Sequence, residues 1–238
     1  MTPPAWIWVN GEYRAGARRS ISPLDRGLHL GDGIYEAILA IDGAPVHFEQ
    51  HWARLAESAA FLGIPVDTGG AQMATVLSEL LERNGLTRGR ARFRLTLTRG
   101  ISDGVPWDLD APSPTLLALA IPAAPPREEP LAIGLLPGRR DAGDVLWQHK
   151  TLNLLGRILA RAALRRRGLD DGLVLNIEGR ICEAISSNLF AVIDGRVVTP
   201  PVTEGCLRGT VRARLLRTLE NQEWPVAEEP LTPAQLLG

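Results

Sequence analysis

Lysine is almost absent from this chain. Of its 26 lysine and arginine residues, 25 are arginine, and Lys150 stands alone. Arginine replaces lysine as a solvated cation, but it cannot be deprotonated and cannot form a Schiff base. Lys150 is therefore either a leftover surface charge in an arginine-biased sequence or a primary amine kept for carbonyl chemistry. Cysteine is nearly as scarce. Cys182 and Cys206 are too few and too widely spaced for a disulfide framework or a zinc cluster, and are expected to be reduced and structural. Net charge is close to balanced, at −1, which gives no argument for nucleic acid or an anionic membrane as a partner. No run of eighteen apolar residues occurs, and no charged-then-apolar leader opens the chain. The expectation is a soluble, cytoplasmic protein.

What remains is ordinary globular material: 238 residues, 45% hydrophobic and 22% charged, enough for one large or two modest domains. Two local features invite special readings that their context removes. Arg165-Arg166-Arg167 ends an amphipathic segment just before Gly168, where cations complement a helix dipole. His47 and His51 stand at i, i+4, but the glutamate between them is displaced by one from the zinc-protease pattern and no third ligand is evident. No metal is expected.

The hydrophobic period sets out an α+β chain in two domains. Strands are predicted over 6–9, before Asn10-Gly11, and over 37–41, before Asp42-Gly43. Helices are predicted over 48–62 and 71–83, each stopped by a glycine or Asn-Gly. Residues 92–98 alternate as a half-buried strand, and 115–121 form a near-continuous apolar one. Four prolines in 122–130 then form a stiff connector that fits neither sheet nor helix. This divides the chain into 1–121, a linker at 122–130, and 131–238. Beyond the linker come strands at 131–136, 173–176, 189–193 and 197–198. Helices follow at 152–167, with Arg157, Arg161 and Arg165 as an outer stripe, and at 211–220.

Lys150 lies in Gln148-His149-Lys150-Thr151-Leu152-Asn153-Leu154-Leu155, at an element end beside apolar residues. Such a setting favours the neutral amine that carbonyl attack needs, as in anchoring pyridoxal phosphate. Glu183-Ala-Ile-Ser-Ser187-Asn188-Leu-Phe190 follows about thirty residues later. Together these resemble the class IV aminotransferases, the fold-type IV pyridoxal phosphate family of branched-chain and D-amino-acid transaminases and aminodeoxychorismate lyase. Three further blocks carry the same resemblance: Asp25-Arg26-Gly27 through Gly31-Asp32-Gly33-Ile34-Tyr35-Glu36, His51 through Arg54-Leu55 to Ser58, and Gly205 through Arg208-Gly209-Thr210-Val211-Arg212.

The resemblance implies a D-amino-acid-aminotransferase-like α+β fold, a site between two domains, a homodimer, and pyridoxal 5'-phosphate as cofactor. It assigns Lys150 to the Schiff base and proton shuttle, and Glu183 to the pyridine nitrogen. Arg54 and the amides of Gly209, Thr210 and Val211 go to the phosphate, where a guanidinium and a helix start both suit a dianion. The family often has Ile-Thr where this chain has Thr210-Val211, so backbone contact is the expectation there. Ser187 and Asn188 complete the cofactor set, and Tyr35 faces the substrate.

Two departures matter. The loop from Arg99 through Trp107 to Asp110 lacks the basic pair or glycine-arginine loop with which relatives hold the substrate carboxylate, and it carries added acids, Asp103 and Asp108. Those acids suit an amine or cationic substrate, or are simply solvated. Relatives also continue for some tens of residues past Gly238, so the sequence is either cut or closed by other means, including a partner subunit. The resemblance thus implies a transaminase moving an amino group between an amino acid and a 2-oxo acid. Aminodeoxychorismate lyase, which releases 4-aminobenzoate and pyruvate, is the alternative, favoured by Ser22 through Gly27. A truncated, weakly active protein that binds the cofactor is the third reading.

Overall fold

The computed structural model describes residues 4–16, 21–101, 107, 109 and 113–237. By internal contacts the chain forms two units. The first comprises Met1–Arg127 together with Lys150–Asn153, and the second Glu128–His149 with Leu154–Gly238.

The first unit is a six-stranded antiparallel sheet with two helices on one face. Its strands are β1 (Trp6–Val9), β2 (Glu12–Ala15), β3 (Gly33–Ile41), β4 (Ala44–Pro45), β5 (Arg90–Thr98) and β6 (Thr115–Pro122), in the order β2-β1-β6-β5-β3-β4. The helices are α1 (Arg26–Leu30), α2 (Phe48–Leu62) and α3 (Gly70–Arg83). Alternation along the strands decides the layering. Ile34, Ile38, Phe93, Leu95, Leu97 and Ala118 point inward and pack with Leu55, Met73, Leu77 and Leu80 of α2 and α3. Each such buried side chain contributes about 2 kcal/mol from apolar area removed from water.

The Asp25-Arg26-Gly27…Asp32 block is a brace for this sheet. Asp25, fully buried, caps α1 by accepting from the Gly27 amide, and also accepts from the hydroxyls of Thr98 and Thr115 at 2.9 and 2.7 Å. Asp32 Oδ2 takes one hydrogen bond from Arg26 Nε and another from Arg99 Nε, each 2.8 Å. Burial alone would raise the Asp32 pKa, but the two guanidinia outweigh it and hold the carboxyl below its usual range. Arg99 also donates to the carbonyls of Leu62 and Gly63, closing the C-terminus of α2.

The second unit contains two three-stranded sheets. One, in the order β7-β8-β9, joins β7 (Ile133–Arg140) and β8 (Asp171–Asn176) in parallel and β9 (Ile181–Ala184) antiparallel. The helix α4 (Leu155–Arg166) makes the crossover between β7 and β8. The other sheet, β10-β11-β12, is built from β10 (Ala191–Ile193), β11 (Arg196–Thr199) and β12 (Val226–Glu228) around α5 (Thr210–Asn221), with α6 (Pro233–Leu237) at the end. Leu173, Leu175, Ile181, Ala184, Val198 and Leu231 form the core of the second unit. Among the described residues no helix is long and apolar enough to cross a membrane.

One expected helix boundary is corrected. Helix α4 begins at Leu155 rather than at 152, because the backbone ahead of it is used elsewhere. Thr151 bridges Ile34, the Leu152 amide donates to the Gly33 carbonyl, and the Tyr35 amide donates to the Lys150 carbonyl. Residues 150–153 therefore lie along β3 as an extra edge of the first sheet.

Candidate active site

Lys150 is fixed by that edge. The strand register of β3 places its Nζ 4.6 Å from the centroid of the Tyr35 ring, half-buried and in no ion pair with a described residue. Asn153, three residues on, donates to the carbonyl of Gly31 at the end of α1. A primary amine whose backbone is paired with β3, and which has no carboxylate partner among the described residues, suits an electrophilic carbonyl better than a structural salt bridge.

Tyr35 holds a second cation. The Arg94 guanidinium carbon lies 3.9 Å from the same ring centroid. Arg94 and Tyr35 share the face of the sheet opposite to the helices, since Arg94 pairs with Ala37 and Thr96 with Tyr35. Arg94 is half-buried, and no hydrogen bond or ion pair ties it to a described residue; burial pushes its pKa down. No signal for it stands in the sequence, where 92, 94 and 96 read as the polar side of an alternating strand. The loop acids Asp103 and Asp108 lie outside the described residues.

Arg54 stands on α2, on the other face of the same sheet. Its Nε and Nη2 both donate at 2.7 Å, one to each oxygen of the fully buried Glu36 of β3. His51 Nδ1 lies 2.8 Å from Glu36 Oε2, which accounts for one of the two histidines that invited a metal reading. Burial raises the Glu36 pKa, and His51 and Arg54 more than reverse this, leaving it below the usual value.

In the second unit, Glu183 of β9 is buried and gathers four donors. Arg140 Nη1 and Arg157 Nη2 both reach Oε1 at 2.9 Å, and Oε2 takes the Leu207 amide at 3.0 Å and Asn188 Nδ2 at 3.5 Å. Arg157 thus departs from the solvated stripe expected of it, and also donates to the Ile185 carbonyl at 2.7 Å. Asn188 connects Glu183 to the start of α5 through the Leu207 carbonyl. A Cβ at Gly209 would collide with Asn188 Oδ1, so glycine is what lets this turn close. Gly209 is also the N-cap of α5 and provides no side-chain cap for Thr210, Val211 and the first turn. Ser187 is exposed and contributes its carbonyl to the Ala184 amide, while the Val211 side chain is 72% exposed. Cys182 and Cys206 are buried, their thiols pushed by burial to about 12 and about 11, so neither is a nucleophile. A cleft of about 550 Å³ in the first unit, between Trp8, Pro65, Gln72 and Pro114, holds none of these groups.

A family model described as amino-transferase class IV matches residues 33–237. The chain belongs to the class IV aminotransferases. This class IV chain is 33% identical over 228 residues to a putative branched-chain-amino-acid aminotransferase of Methanocaldococcus jannaschii, covering 95% of this chain and 78% of that one. Among solved structures it is similar to 4-amino-4-deoxychorismate lyase from Pseudomonas aeruginosa, with 31% identity, a TM-score of 0.79 and coverage of 97% and 83%. A branched-chain aminotransferase from Thermoproteus uzoniensis, at 23% identity, shares the fold with a TM-score of 0.90 over 98% and 80% of the two chains. The fold is therefore fold-type IV, as the sequence motifs imply, and the chain is an enzyme of a family that holds both transaminases and lyases.

Proposed function

We propose that this class IV enzyme is a pyridoxal 5'-phosphate-dependent transaminase that moves an amino group between an amino acid and a 2-oxo acid. The observation that carries the reading is Lys150: the only lysine, in no ion pair with a described residue, held against Tyr35 by its pairing with β3. The residues present fit the cofactor. The first unit carries the primary amine, and the second carries a buried carboxylate and a helix start lacking a side-chain cap. When bound, the cofactor supplies an aldehyde and an electron-accepting ring.

The chain's residues divide the remaining work. Lys150 offers the nucleophilic amine and moves the proton at the substrate α-carbon. Glu183 would accept a hydrogen bond from the protonated ring nitrogen. Asn188 and the Gly209, Thr210 and Val211 backbone are suited to a phosphate, and so, in the first unit, is Arg54, whose guanidinium Glu36 holds in place. Tyr35 presents its ring to substrate. Arg94, beside Tyr35 and with no carboxylate partner among the described residues, receives the substrate carboxylate, for which the sequence of the loop after β5 offers no basic pair. The exposed apolar side chains of α4, Leu155, Ile158 and Leu159, support assembly as a homodimer.

The test is the visible absorption spectrum of purified protein with pyridoxal phosphate, for wild type and Lys150→Ala. A yellow band in wild type that the variant lacks supports the reading; a wild type without the band defeats it. The 31% identity to a lyase of known structure favours a second reading, aminodeoxychorismate lyase. Release of pyruvate from aminodeoxychorismate without any keto acid would establish that reading over transamination. Cofactor binding with neither activity would leave the weakly active protein.

A further inference from the structure

Glu183 is held in an unusual way for a buried carboxylate. Glu36 is held differently in this same chain: one guanidinium, from Arg54, gives a bond to each oxygen, and His51 lies at Oε2. Glu183 instead receives two guanidinia, from Arg140 and Arg157, and both go to Oε1. Neutralising the charge needs only one. Oε2 keeps one firm bond, from the Leu207 amide, and one at the limit of hydrogen-bond length, from Asn188. The carboxylate is thus pinned at one oxygen while the other retains accepting capacity.

Both arginines are themselves held. Arg140 is 5% exposed, donates also to the Gly205 carbonyl, and stacks 4.0 Å from the centroid of the Trp147 ring. Gly205 sits at φ 87°, and a side chain there would press on Arg140 and Ala142, so the close approach depends on glycine. Arg157, in the first turn of α4, is tied to the Ile185 carbonyl two residues past Glu183. Each guanidinium therefore has a second anchor that fixes its angle to Oε1.

We infer that Arg157, acting with Arg140, is a positioning residue that pins Oε1 of Glu183 so that Oε2 is the oxygen offered to a protonated aromatic nitrogen. The inference rests on the cofactor reading above and adds to it how the carboxylate is aimed. A purely structural role would be indifferent to the ligand's nitrogen. Aiming Oε2 matters only for a ligand that carries one.

The experiment compares binding of pyridoxal phosphate with binding of its carbocyclic analogue, in which CH replaces the ring nitrogen and the aldehyde and phosphate remain. Dissociation constants are measured for wild type, Arg157→Met, Arg157→Lys and the surface control Arg165→Met. Wild type and the control should prefer pyridoxal phosphate. Arg157→Met should lose about tenfold in affinity for it, about 1.4 kcal/mol, while affinity for the analogue stays within about twofold. Arg157→Lys should recover part of the preference, since an ammonium reaches Oε1 as a point charge but cannot hold Ile185 as well. Should the methionine variant fail to fold, the lysine variant decides through the same ratio, which must fall below that of wild type. Equal losses for both ligands, or no loss in either variant, would overturn the positioning role and leave the cofactor reading intact. A wild type that binds neither ligand would overturn both.

Discussion

The Tyr35 ring carries two cations, Lys150 at 4.6 Å and Arg94 at 3.9 Å, and their chemistry separates them. A ring face attracts either ion, but only the lysine can lose its proton and attack a carbonyl. Lys150→Arg should therefore fold, keep a cation against the ring, and lose at least about a thousandfold in turnover together with the cofactor's visible band. Activity within tenfold of wild type would remove Lys150 from the chemistry. Arg94→Met should raise KM for the carboxylate substrate by about 10- to 100-fold with a smaller change in kcat, the scale of one hydrogen bond to a charged group. Steady-state kinetics on an amino-acid series checks this, and an unchanged KM would contradict it. Lys150 stands out in the sequence because it is unique. Arg94 and Arg157 do not, because on an alternating strand or an amphipathic helix a paired or poised arginine has the same spacing as a solvated one.

The strand β3 shows how one element serves two ends. Its odd positions carry Tyr35, and its even positions carry the core and Glu36, so neighbouring residues face different chemistry. Removing the charge at Glu36 takes away the carboxylate that Arg54 Nε and Nη2 both reach, and Glu36→Gln should destabilise the fold by about 3–5 kcal/mol. The folded-state pKa of Glu36 is lowered, so its contribution is present above the unfolded value of about 4.3 and is lost as pH falls through the folded one. Thermal melts should therefore show wild type and Glu36→Gln converging below about pH 4, and parallel curves down to the acid limit would refute the coupling. At the start of α5, Gly209→Ala must push Asn188 away from Leu207, and a weaker hold on pyridoxal phosphate should appear in equilibrium binding.

Element legibility followed length and period. The helices at 48–62 and 70–83 were plain from their spacing, give or take a residue. The five-residue α1 is too short to show a period, and β9 is buried on both faces, so it has no alternation to read. The start of α4 was misplaced because Leu152, Leu154 and Leu155 continue a helical spacing that the hydrogen bonds to β3 override.

For the whole molecule, the division into units is discontinuous: residues 128–149 belong to the second unit, and 150–153 return to the first. The connector around Arg127 is exposed and proline-rich, and limited trypsin digestion should cut first after Arg127, yielding fragments of residues 1–127 and 128–238 by mass. A first cut inside α2 or α3 would contradict this. The return of 150–153 has a consequence in time. Joining Thr151 to Ile34 closes a very long loop, a slow and entropically costly contact. During synthesis the 22 residues from 128 to 149 must follow the first unit out before that strip exists, a delay of roughly 1–4 s at ordinary elongation rates. Until then the nascent sheet waits with one edge of β3 unpaired at 33–35. The amine that marks this chain is therefore delivered by the latest segment to join the older half.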